Sequence, residues 1–231
     1  MSVIYLGGVP GSGKTLFATY LMKKKFKKEN NIFKRLFHKK MYLNIFSNYP
    51  IKLYKNYFSY SISLGDFLNY NKHIPNCSIV FDEFQSYYDS LDFKKFPRTI
   101  AKNFQFHRHF DIEDIFVISQ HPSRIVKQAR VLINEFYQIV RFIPIPIIGI
   151  AFIRYNIYYN FDDYGKSVNV EKNQVSYDFK KRFRLFFYKP VYKSYDTKYM
   201  KVLVKNKEFL NKKSFDSKIL SLDDIYKNFN I

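Results

Sequence analysis

Short apolar runs alternate with amphipathic stretches along the first two thirds of this chain. Val3-Ile4-Tyr5-Leu6 is unbroken by polar residues and ends in glycines, the pattern of a parallel strand buried on both faces. Residues 14–28 then turn helical, with Leu16, Phe17, Tyr20 and Leu21 on one face and lysines following. Residues 41–46 predict a second strand, closed by Ser47-Asn48-Tyr49-Pro50, and residues 63–71 a short helix with Asp66 near its start. Further strands are expected at 78–81, 115–118 and 136–140, with a helix-length stretch at 99–109. Strands joined by helical crossovers imply a parallel sheet covered by helices on both faces.

The most apolar run, residues 142–153, holds two prolines and a glycine in twelve residues. A helix crossing a bilayer needs about 20, so the run reads as a buried strand with a Pro-rich turn. An interfacial membrane contact is the alternative. Past Phe152 the chain is strand-like and aromatic, and from Val175 it becomes basic and irregular, with a break at Lys189-Pro190. The expected organisation is one domain over 1–165 and a small basic extension over 166–231.

The chemistry lies where strands end. Gly8-Val9-Pro10-Gly11-Ser12-Gly13-Lys14-Thr15 fits GxxxxGK[ST], between a buried strand and a helix. Glycines let the loop's N–H groups turn toward phosphate oxygens, and the following helix adds its dipole. Lys14 is then expected to reach the β- and γ-phosphates of ATP, and Thr15 to bind Mg²⁺. Ile79-Val80-Phe81-Asp82-Glu83 is a strand ending in paired carboxylates. Asp82 is the second expected magnesium residue and Glu83 the group that deprotonates water. A carboxylate at 83 favours hydrolysis over transfer to a metabolite. The strand at 115–118 leads into Ser119-Gln120, and Gln120 is the candidate γ-phosphate sensor of an additional-strand ATPase. Arg108, Arg124 and Arg130 are candidate fingers into a neighbour's nucleotide, which implies a homo-oligomer. His107-Arg108-His109 lacks a third ligand in metal spacing.

Charge changes the picture of partners. The chain carries 39 Lys+Arg against 19 Asp+Glu, a formal charge of +20. That favours nucleic acid or an anionic membrane surface, although codons of an AT-rich genome would also inflate Lys, Asn, Ile, Phe and Tyr. Residues 23–40 concentrate nine basic residues against one acid, read either as a solvated helix end and loop or as a phosphate-binding run. Cys77 is the lone cysteine, which excludes an internal disulfide and fits a reducing compartment. The N-terminus has neither the basic segment nor the cleavage site of a signal peptide.

In order, "GVPGSGKT", "NIFSNYPI", "IVFDEFQ" and "FQFHRHFDIEDIFVISQHPSRIVKQAR" resemble the zonula occludens toxin (Zot) family over about residues 1–165. The block from Asp82 to Arg130 carries most of the likeness. The resemblance implies a P-loop NTPase fold of the RecA/FtsK-like type, with Lys14 and Thr15 in the nucleotide loop, Asp82 and Glu83 as the carboxylate pair, and Gln120 on the sensor strand. It implies a filamentous-phage assembly ATPase in the host cytoplasm, peripheral at the inner face of the membrane. Its partners would be single-stranded DNA or a DNA–protein complex, and phage coat or membrane-assembly proteins. Larger family members continue into a membrane span, which this sequence does not show. The toxin activity behind the family's name is not implied. A DNA translocase or packaging ATPase, and a nucleotide-switched scaffold binding membrane or coat, are the alternatives.

Overall fold

The computed structural model describes residues 1–30, 43–54, 57–61, 76–86, 98–169 and 179–195. Its strands are β1 (Ser2–Gly7), β2 (Asn44–Ser47), β3 (Lys52–Tyr54), β4 (Tyr57–Phe58), β5 (Tyr60–Ser61), β6 (Cys77–Phe81), β7 (Ile112–Ile118), β8 (Glu135–Ile145), β9 (Ile150–Tyr158) and β10 (Lys180–Phe187). The helices are α1 (Lys14–Glu29), α2 (Arg98–Gln105), α3 (Lys127–Arg130), α4 (Phe161–Asn169) and α5 (Tyr188–Tyr192). One sheet runs β10-β9-β8-β1-β7-β6-β2-β5. From β8 to β5 every neighbouring pair is parallel, while β9 and β10 extend it as an antiparallel edge.

Both faces of the sheet are covered, which explains the unbroken apolar runs. Along β1, Val3 and Tyr5 join a core with Phe104 of α2, Ala129 of α3 and Tyr164 of α4. Ile4 and Leu6 point the other way, to Leu16, Phe17 and Met22 of α1 and Val191 of α5. Each Val, Ile, Leu, Phe or Met side chain among them, taken fully from water, contributes about 1.5–3 kcal/mol. The fold is an α/β P-loop fold with a mostly parallel central sheet. β7 lies between β1 and β6, so a strand separates the loop-bearing strand from the one ending in carboxylates.

Several stretches differ from the expectations. The run at 142–153 is not one buried strand but the end of β8, a turn, and the start of β9. β1 ends opposite Gln138, so beyond that point β8 has only β9 beside it, and one face of the hairpin stays open. Ile147 at the tip is 96% exposed. Residues 161–165, expected as strand-like, begin α4, so the boundary expected at 165/166 falls inside a helix. The tail expected to be irregular contains β10, paired along its length with β9, and α5, with Pro190 inside it. Among the described residues no helix is long and apolar enough to cross a membrane. The helix expected at 63–71 lies outside the described residues, as do residues 31–42 of the second strand and basic run.

Candidate nucleotide site

The loop between β1 and α1 is shaped by glycine backbone. Gly13 has φ 84°, a left-handed conformation that disfavours a side chain. A Cβ there would also meet the Phe142 ring at 3.2 Å, so the β8–β9 hairpin closes one side of the loop. Gly13 is the N-cap of α1, and no side chain caps that helix or places an acid in its first turn. The first-turn amides and the positive end of the helix dipole are therefore left for an anion. The Ser12 hydroxyl oxygen is buried without a hydrogen-bond partner among the described residues, as expected of a group awaiting a ligand oxygen.

Lys14 is only 8% exposed. Its ammonium donates to the carbonyls of Gly8 at 2.9 Å and Val9 at 3.1 Å, curling back over the loop. Burial lowers its pKa, while the charges of Glu83 and then Asp82 pull it back up. The Thr15 hydroxyl donates to the Asp82 carboxylate at 2.7 Å, joining residues 67 apart in sequence. Asp82 is 7% exposed, and burial pushes its carboxyl up to about 6. The Glu83 charge adds to that rise, while the Thr15 hydroxyl, the Glu83 N–H and the Lys14 charge oppose it.

Glu83 follows with φ 50°, left-handed and uncommon for a residue with a Cβ. Two bonds hold the turn: Glu83 N–H donates to the Asp82 carboxylate at 2.9 Å, and Ser86 N–H to the Glu83 carbonyl at 2.8 Å. The Gln85 amide donates to the Glu83 carboxylate. Gln120 sits half-buried two residues past β7; at that end Leu6 of β1 pairs with Ile118, and the Ser119 N–H reaches the Leu6 carbonyl at 3.3 Å. Topology thus puts Gln120 at the same sheet edge as the loop and Asp82.

The three arginines separate. Arg124 is exposed in the 3-10 turn Pro122–Arg124 that leaves this edge. Arg108 donates to the Met1 carbonyl at 3.2 Å, at the opposite end of β1. The Arg130 guanidinium lies 4.6 Å over the Phe161 ring. His107 is buried and His109 exposed, and the described residues contain no cluster suited to a metal among His, Cys, Asp and Glu.

Sequence reasoning missed Asn48. Its side-chain oxygen accepts the Asp82 N–H at 2.9 Å, and its amide donates to the Asp82 carbonyl at 2.8 Å. One side chain thus clamps the backbone of the carboxylate residue from the neighbouring strand. The available signal was a polar residue just past a buried strand, too common to single out. Asn48→Ala leaves two buried backbone groups without this partner and should cost about 1–3 kcal/mol. Chemical denaturation checks the loss, and an unchanged midpoint would remove Asn48 from the site's support.

The chain is similar to proteins of known structure. Over 84% of its length it superposes on the N-terminal domain of zonular occludens toxin from Neisseria meningitidis, covering 98% of that chain, at 19% identity and a TM-score of 0.53. The genome packaging NTPase B204 of Sulfolobus turreted icosahedral virus 2, in complex with ATP-gammaS, matches over 80% of this chain and 96% of its own, at 11% identity and a TM-score of 0.43. No curated protein gives a significant sequence match. The family description of zonular occludens toxin (Zot) fits residues 2–197, nearly the whole described chain, and this protein therefore belongs to the Zot family.

Proposed function

We propose that the protein is an ATP-hydrolysing motor of filamentous-phage assembly, extruding single-stranded DNA at the host membrane as coat is added. The observation that carries the reading is the Thr15–Asp82 hydrogen bond beneath an uncapped glycine loop, in a chain of the Zot family. A hydroxyl and a buried carboxylate, hard oxygen donors 2.7 Å apart, suit Mg²⁺. Thr15 and Asp82 would hold that ion, which when bound neutralises charge on the β- and γ-phosphates.

The remaining roles fall to the chain's own groups. Lys14 exchanges its two loop carbonyls for phosphate oxygens, so its charge moves onto the nucleotide without a change of fold. Glu83 takes a proton from the attacking water, held in place by the Gln85 amide. Gln120 reads the γ-phosphate from the tip of β7. The formal charge of +20 supports a polyanionic track or an anionic membrane surface as partner. We place the protein at the cytoplasmic face of the host membrane, working as a homo-oligomer with phage coat or membrane-assembly proteins. The deciding measurement is ATP hydrolysis with and without single-stranded DNA. Turnover several-fold higher with DNA is expected, and hydrolysis indifferent to DNA would leave a scaffold instead of a motor.

A further inference from the structure

Helix α1 sorts its lysines by face. Lys25 turns to the amino-terminal end of β7, where it pairs with Glu113 at 2.9 Å and with Asp114. Lys28 lies 3.8 Å from Glu29. Lys23, Lys24 and Lys27 instead line a cleft of about 720 Å³, joined there by Lys52 of β3 and Lys193 just past α5. Among the described residues no carboxylate comes within ion-pair distance of any of these five. The Lys23 ammonium donates to the Lys52 carbonyl at 2.7 Å, and the Lys52 ammonium stands 5.8 Å from the Phe58 ring centre. Five like charges gathered from three elements repel one another, and a bound polyanion relieves that repulsion.

The cleft also offers ring surfaces. Tyr54 and Phe187, 51% and 64% exposed, stand at its sides. We propose that this cleft binds single-stranded nucleic acid, with lysines on the phosphates and these two rings on the bases. A lone phosphate would leave most of the volume and charge unused. A duplex buries its base faces in the stack and has none to offer the exposed faces of these rings. The cleft's α1 lysines lie in the second half of the helix, away from the phosphate loop. Lys23 is nine residue steps from Lys14, about 14 Å at 1.5 Å per residue. On this proposal, whose track role rests on the motor reading, one helix carries nucleotide at its first turn and strand along its second half.

The test compares two variants carrying the same charge change. K24E/K27E/K52E/K193E reverses the cleft, and K102E/K127E/K166E/K180E reverses exposed lysines elsewhere. Binding of a labelled oligothymidylate is followed by anisotropy at several salt concentrations, without nucleotide, so the result stands apart from hydrolysis. The cleft variant should lose at least about tenfold in affinity, and its log–log salt slope should flatten by about three units if all four lysines touch phosphate. The other variant should stay within about threefold. Circular dichroism checks that both fold, and K24Q/K27Q/K52Q/K193Q repeats the measurement without introducing acids. Equal losses in both variants, or no loss in either, would overturn the proposal. So would a cleft variant that keeps the oligonucleotide but releases phosphatidylserine vesicles, because the cleft would then be a lipid site.

Discussion

Lys14→Ala should lower ATP hydrolysis by at least about a hundredfold in a protein that still folds. The ammonium is buried at the mouth of the loop, within reach of the Gly8 and Val9 carbonyls and near both carboxylates. Alanine leaves the loop with backbone N–H groups alone, and these carry no net charge to set against a γ-phosphate. The charges that act on Lys14 are those of Glu83 and Asp82, both acids, so neither can take its place. Phosphate release measures the loss, with circular dichroism to verify the fold. Normal turnover in the folded variant would remove the phosphate loop from the chemistry altogether.

The parts of the molecule legible in the sequence are those where one physical demand dominates. β1 and β6 are buried on both faces, so almost every position must be apolar and the runs stand out. The glycine loop needs backbone that only glycine adopts comfortably, as at Gly13. Elsewhere two demands compete. β10 reads Lys-Lys-Arg-Phe-Arg-Leu-Phe-Phe, and as an edge strand with one open side it lacks the clean alternation that marks a half-buried strand. Its charges made it resemble an irregular tail. The start of α4 was hidden by the aromatic residues around it, although its cap was readable. Asn160 accepts the Asp163 N–H at 2.8 Å, and Asp162 and Asp163 occupy the first turn. Lys25 shows the limit of reading charge by count alone. Within a run of lysines it serves an ion pair with β7, while its neighbours line the cleft. Asn48 is the residue that composition and spacing had no means of finding, because its role depends on which strand lies beside β6.

Glu83→Gln should slow hydrolysis by about 10²–10⁴-fold while leaving ATP bound. The substitution keeps the shape of the turn. The backbone bonds from Glu83 N–H to Asp82 and from Ser86 N–H to residue 83 do not involve the side chain, so the left-handed φ is preserved. A glutamine there still accepts a hydrogen bond from Gln85 through its carbonyl oxygen, but it cannot take a proton from water. Affinity should persist because binding rests on Lys14, Thr15, the loop amides and Asp82. Asp82→Asn should differ in affinity. It removes the buried carboxylate facing the Thr15 hydroxyl, so Mg²⁺-dependent nucleotide affinity should fall along with turnover. A fluorescent ATP analogue measures affinity and single-turnover hydrolysis measures cleavage, so the two variants separate on two axes. Should Glu83→Gln lose affinity while Asp82→Asn retains it, the two carboxylates have exchanged roles. Should both keep full hydrolysis, the proton acceptor lies elsewhere, and the strained turn at Glu83 serves the fold instead.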